Sequence, residues 1–131
     1  MNAIYVHMEG LNQTSHLPSP VHMKGQDCAL FEISGSVYPY VDGALYLCAD
    51  FVDDSFMKER MAPILRCLHF TPDDFTGGAT IHSSYRQNLW VPCIRSPIKE
   101  FRLYIINEQA TSPPFLRCNI RCTLAFRRSL D

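Results

Sequence analysis

The sequence predicts a small all-β protein, a β-sandwich or jelly-roll-like domain carrying an extended N-terminal arm. Three observations point there. Apolar residues recur with period two along most of the chain, as half-buried strands require and helices do not. The candidate strands are short and separated by turn-forming clusters at the spacing of sandwiches and small barrels. Nine prolines among 131 residues disfavour long helices.

The first 27 residues differ from the rest. Residues 3–8 have the composition of one short strand. Residues 11–20 are polar and broken by Pro18 and Pro20, and read as an extended arm or linker. The division expected is therefore an arm over residues 1–27 and a β-sandwich domain over residues 28–131.

Within the domain the clearest strand is 118–127. Cys118, Ile120, Cys122, Leu124 and Phe126 alternate with Asn119, Arg121, Thr123, Ala125 and Arg127, giving one apolar and one mostly polar face. Phe101, Leu103 and Ile105 alternate with Arg102 and Tyr104 in the same way. Residues 44–52 read as a strand buried on both sides, with Leu45, Leu47, Ala49 and Phe51 on one face and Tyr46 and Cys48 on the other. Further candidates are 29–33, 64–70, 79–82 and 89–94. Turn signals lie at Asp42-Gly43, at 71–74, at Gly77-Gly78, at Ser96-Pro97 and at 112–114. The one place for a helix is 53–61. It lacks a capping box, because Phe56 stands where Glu or Gln would follow Asp53, so an irregular loop is expected there.

Composition narrows the function. Apolar residues make up 47% and charged residues 19%, which excludes a polyelectrolyte-like disordered chain. The net charge of -1 leaves no basic excess for nucleic acid or an anionic membrane. No apolar run approaches the roughly 18 residues of a membrane-spanning helix. Met1 to Gly10 does not read as a secretory signal. An intracellular chain with six reduced cysteines is the expectation.

Chemistry-bearing constellations are weak. Cys118 and Cys122 on a strand lie roughly 13 Å apart, too far for a disulfide or a shared metal. Cys67, His69, His82 and Cys93 lack zinc-site spacing. Asp50, Asp53 and Asp54, like Asp73 and Asp74, sit at strand ends or turns, where aspartate bonds to nearby backbone. No nucleophile elbow, phosphate loop or dinucleotide fingerprint is present. The expectation is a non-enzymatic protein without cofactor or metal. A hydrolase built on a nucleotide-binding β-fold is disfavoured by the missing glycine-rich loop. Arg121, Arg127 and Arg128 form the candidate partner-binding set on the last strand, since the guanidinium fork matches a partner's carboxylates. The alternative for these arginines is a solvated strand face.

Two blocks carry a family resemblance. Residues 44–52, Ala-Leu-Tyr-Leu-Cys-Ala-Asp-Phe-Val, are followed by residues 61–66, Met-Ala-Pro-Ile-Leu-Arg. Later come Trp90-Val91-Pro92, residues 101–106, Pro114-Phe115 and residues 122–128. In this order they resemble a block in β-rich, jelly-roll-like capsid-associated proteins of adenovirus-like DNA viruses and related virus-derived transposons. The chain departs from that pattern at 107–110, where the family has an Asp- and Gly-rich hairpin, and at Ala125, where it has His. It also lacks the long N-terminal half of the larger relatives. The resemblance implies a minor capsid or cementing protein, of the small genus-specific kind found in atadenoviruses. Its partners would be a hexon-like major capsid protein, other minor capsid proteins and further copies of itself. It would reside in the virion, and in the host nucleus during assembly. The alternative function is a virus-encoded intracellular modulator that binds host proteins.

Overall fold

The computed structural model describes residues 4–9, 14–21, 26–38, 43–57, 60–70, 80–85, 89–94, 98–107 and 117–128. All regular structure among them is strand. In chain order these are β1 (Ile4–Glu9), β2 (Thr14–Val21), β3 (Gln26–Tyr38), β4 (Gly43–Ala49), β5 (Ser55–Met57), β6 (Arg60–Ala62), β7 (Ile64–Phe70), β8 (Thr80–Ser84), β9 (Val91–Pro92), β10 (Ile98–Ile106) and β11 (Arg117–Arg128). The turn clusters at 71–74, 77–78, 96–97 and 112–114 lie outside the described residues.

The strands form two antiparallel sheets and a hairpin. One sheet runs β1-β11-β3-β8, with β9 also paired to β3. The other runs β2-β10-β4-β7. The hairpin is β5-β6. A single apolar cluster joins the sheets. Cys28, Leu30 and Ile33 of β3 and Cys122, Leu124 and Phe126 of β11 meet Leu45, Leu47, Leu65, Leu68, Phe101 and Leu103 from the other sheet. The domain is therefore an all-β sandwich of antiparallel sheets.

Period two survives over Phe101, Leu103 and Ile105 of β10 and over the described side chains of β11, while Ile98, buried three residues before Phe101, falls out of step beside the register shift at Ile98/Glu100. On β3 and β7 it is interrupted, and the register explains why. Thr123 stands opposite Glu32, but Leu124 stands opposite Leu30, so Phe31 is an extra residue in β3. The inward set accordingly runs Cys28, Leu30, then Ile33. Leu65 is the corresponding extra residue on β7, since Leu47 faces Arg66 and Cys48 faces Ile64. Further along β3, Gly35 takes φ 145, a conformation that glycine alone adopts readily.

Phe51 lies just beyond β4 yet is fully buried. Its ring meets Phe101 edge-on at 5.4 Å and Phe126 at 5.7 Å. Such pairs contribute about 0.5–1.5 kcal/mol beyond burial. The backbone around it ties the sheets together. Ile94 N–H donates to Phe51 C=O at 2.8 Å, Asp53 N–H donates to Pro92 C=O at 2.9 Å, and Val52 bridges to Cys93.

Three expectations need correction. Residues 1–27 do not lie apart from the sheets over their described parts. β1 pairs along its length with β11, and β2 pairs with β10. The proposed boundary also falls inside β3, because Gln26 and Asp27 already pair with Arg128 and Arg127. The prolines still leave their mark. The β2 ladder breaks between Ile98 and Glu100, which face Val21 and His16, so Pro18 and Pro20 fall in the unpaired stretch. A proline nitrogen has no hydrogen to give to a ladder. Finally, 53–61 contains a hairpin in place of an irregular loop, with Ser55 opposite Ala62 and Phe56 opposite Met61.

Candidate partner-binding surface

The arginines singled out in the sequence all lie on β11, and the structure separates them. Arg127 stands opposite Asp27 of β3. Its Nε lies 3.5 Å from Asp27 Oδ2, and its guanidinium sits over the Trp90 ring at 4.2 Å. Trp90 arrives there because β9, which follows it, pairs Pro92 with Asp27. Only 17% of the Arg127 side chain is exposed. It is thus held within its own domain by a carboxylate and an indole face, an arrangement the guanidinium plane favours. Arg127, one of the three arginines named as a candidate partner-binding set, is thus already engaged by side chains of its own domain.

Arg128 is exposed, opposite Gln26. Arg121 is exposed as well, with Ser34 on one side and Glu9 on the other. The six-residue step from Arg121 to Arg127 corresponds to roughly 20 Å of strand. Arg127 and Arg128 share one end of β11, while Arg121 stands apart.

The outer face of the other sheet is built differently. Cys48, Ala62 and Ile106 form a second buried cluster, with Tyr46, Ile64 and Tyr104 packed around it. This agrees with the expectation that residues 44–52 are buried on both sides. Ala62 comes from the β5-β6 hairpin, so the hairpin covers this face. The Cys48 thiol donates to Tyr46 C=O at 3.8 Å. Burial pushes that thiol up to about 12, and a hydrogen bond with Tyr104 only partly opposes the shift. Burial, then the neighbouring Cys48 and Asp50, push the Tyr104 phenol up in turn.

Two further apolar side chains of the hairpin face water. Phe56 is 78% exposed and Met61, directly across from it, is 53% exposed. Leu89 and Ile94 are also exposed, on either side of Trp90 and β9. The sequence reading missed Phe56 and Met61 because it tested 53–61 only for helix caps. The available signal was two apolar-containing triplets flanking Lys58-Glu59, a short hairpin pattern.

The remaining constellations serve the fold. Asp50 Oδ1 accepts from Arg102 N–H at 3.1 Å, and Asp53 Oδ1 accepts from Asp54 N–H at 3.0 Å. Both are carboxylates bonded to backbone, as expected of aspartate at strand ends. Asp73 and Asp74 lie outside the described residues, as do the side chains of His69 and His82. Cys67 is exposed, whereas Cys93 packs against the main core. Cys28, Cys48, Cys67, Cys93 and Cys122 are free thiols. Burial raises Cys28 well above the ordinary thiol value and Cys93 to about 12, reinforced by their mutual proximity for Cys28 and by Asp27 for Cys93. Thiols shifted this way are poor nucleophiles near neutral pH.

Comparison with protein-family models, with curated proteins and with solved structures finds no match to this chain. The family resemblance therefore stands on the residues quoted above.

Proposed function

We propose that this chain is a structural viral protein, a minor capsid or cementing component of an adenovirus-like virion. It acts by binding, without catalysis. The observation that carries the reading is the β5-β6 hairpin, which presents Phe56 and Met61 side by side to solvent on the outside of a closed sandwich. Adjacent exposed apolar side chains are a common mark of protein–protein contact. The hairpin also falls largely between the two stretches of the resembling block, residues 44–52 and 61–66. Arg128, exposed at the end of β11, adds a charge for a partner's carboxylate.

In this reading the sandwich is the rigid body and the hairpin is the contact. Its partners are a hexon-like major capsid protein and other minor capsid proteins, met in the virion after assembly in the host nucleus. Quantitative mass spectrometry of purified particles tests it. A cementing protein is present in fixed proportion to the major capsid protein. A modulator of host proteins is abundant in infected cells and missing from particles, and that result overturns the proposal. Phe56→Ser with Met61→Ser should leave the fold intact and reduce incorporation.

A further inference from the structure

The edges of the two sheets are guarded unequally. An open strand edge invites pairing with another chain, and proteins blunt it with proline, bulges, basic side chains or short length. β2 carries Pro18 and Pro20 and a broken ladder. β7 carries the Leu65 bulge and Arg66. β8 spans five residues and leads into Tyr85, whose ring is covered by the Arg66 guanidinium at 3.8 Å, closing that side of the sandwich. β9 is two residues long and contains Pro92.

β1 has none of these devices. It is six residues long, reads Ile-Tyr-Val-His-Met-Glu, and pairs without a register shift along its inner side to β11. Among the described residues no strand pairs with its outer side.

We infer that β1 is a self-association edge: two copies of this chain pair β1 against β1 in antiparallel fashion about a two-fold axis, joining their five-stranded sheets. The sequence of the strand is self-complementary for this. Antiparallel pairing centred on Val6 places Val6 opposite its own copy, Ile4 opposite Met8 and Tyr5 opposite His7. Register positions 4, 6 and 8 stand opposite Phe126, Leu124 and Cys122, so the apolar set of one copy continues that of the other. Glu9, the one acidic residue of the strand, lies beyond this overlap and stands opposite Arg121 of its own chain. No like charges then face each other. A two-fold contact also closes both open edges at once, whereas adding a strand from an unrelated protein to β1 leaves that protein's edge to be dealt with. The inference does not depend on the virion reading.

Sedimentation velocity across a dilution series of the full chain tests it, together with hydrogen exchange on residues 4–9. The expected result is a reversible dimer, with β1 amides losing protection as the dimer dissociates. Tyr5→Lys with His7→Lys sets lysine against lysine across the axis, on positions opposite Ala125 and Thr123. It should weaken association about tenfold or more, through the two symmetric pairs. A wild-type chain that stays monomeric throughout overturns the inference. So does a dimer whose β1 exchange is independent of concentration, or one that the double substitution leaves at full affinity. Should the substituted chain fail to fold, the concentration dependence of exchange in the wild type decides alone.

Discussion

The two sheets cover their outer faces by opposite means. On the five-stranded sheet, Arg127 and Asp27 pair across neighbouring strands and the Trp90 ring lies under the guanidinium at 4.2 Å. On the four-stranded sheet, Ala62 of the β5-β6 hairpin joins Cys48 and Ile106 in a small buried apolar cluster, with Tyr46, Ile64 and Tyr104 packed around it. The first cluster, among the described residues, is built on a charge pair and a cation–ring contact. The second is apolar, and its exterior is left carrying Phe56 and Met61. A sandwich face can thus be closed to water while either ending its contacts or offering new ones. The hairpin side is the one that offers them.

The largest expected effect removes what both faces rest on. Phe126→Ala should cost about 3–5 kcal/mol, since the ring is fully buried against Phe51. Chemical denaturation followed by near- and far-ultraviolet dichroism should show both sheets lost in one transition. Ile106→Ala, which touches only the hairpin-covered face, should cost about 2 kcal/mol, the low end for a truncated aliphatic at the edge of a small cluster. Arg127→Ala should cost about 1–2 kcal/mol, because it strips Asp27 of a charged neighbour in a largely buried place. If its melting temperature matches the parent, the polar cover is ornamental and the comparison fails on that side. Arg128→Ala should stay within about 0.5 kcal/mol, as exposed positions do.

Alkaline titration probes the hairpin-side cluster and the main core together. Cys48 and Cys93 are pushed up to about 12. In the unfolded chain they ionise at the ordinary thiol value near 9. Between these limits the folded state holds more protons, so stability falls as pH rises from about 9 toward 12 and is unaffected below that range. Cys48→Ser should flatten the decline measured by denaturant melts at successive pH values. The mildest test is alkylation. In the native protein Cys67 should react well before Cys28, Cys48 and Cys122, and all six cysteines should label after unfolding without reductant. A missing pair would contradict free thiols throughout the chain.

Alternation made most of the sandwich readable in advance. The inward residues of β4, with Phe101, Leu103 and Ile105 of β10 and Cys122, Leu124 and Phe126 of β11, are the ones period two selects; Ile98, out of step with Phe101, is not. It failed where one residue was inserted. Phe31 and Leu65 shift the parity of their strands, and nothing in local composition distinguishes a bulged residue from its neighbours. It failed again at the N-terminus. β2 is held by backbone pairing to β10, which a polar, proline-containing stretch does not advertise. The candidate surface was half legible. Alternation puts Arg121 and Arg127 on the face opposite Phe126, but Arg127's neighbours come from β3 and the residue before β9. Their distance in sequence hid that Arg127 is engaged inside the domain.

Trp90 is the chain's one tryptophan, and it lies beneath the Arg127 guanidinium. The protein therefore carries a built-in optical reporter fixed to a single corner. Emission from that indole senses the nearby positive charge and the partial shelter from solvent. A change in its wavelength or quenching reads the opening of the Asp27–Arg127 contact directly, while dichroism reads the sheets. Where the two signals part company on heating or on adding a partner, the corner has moved before the sandwich has.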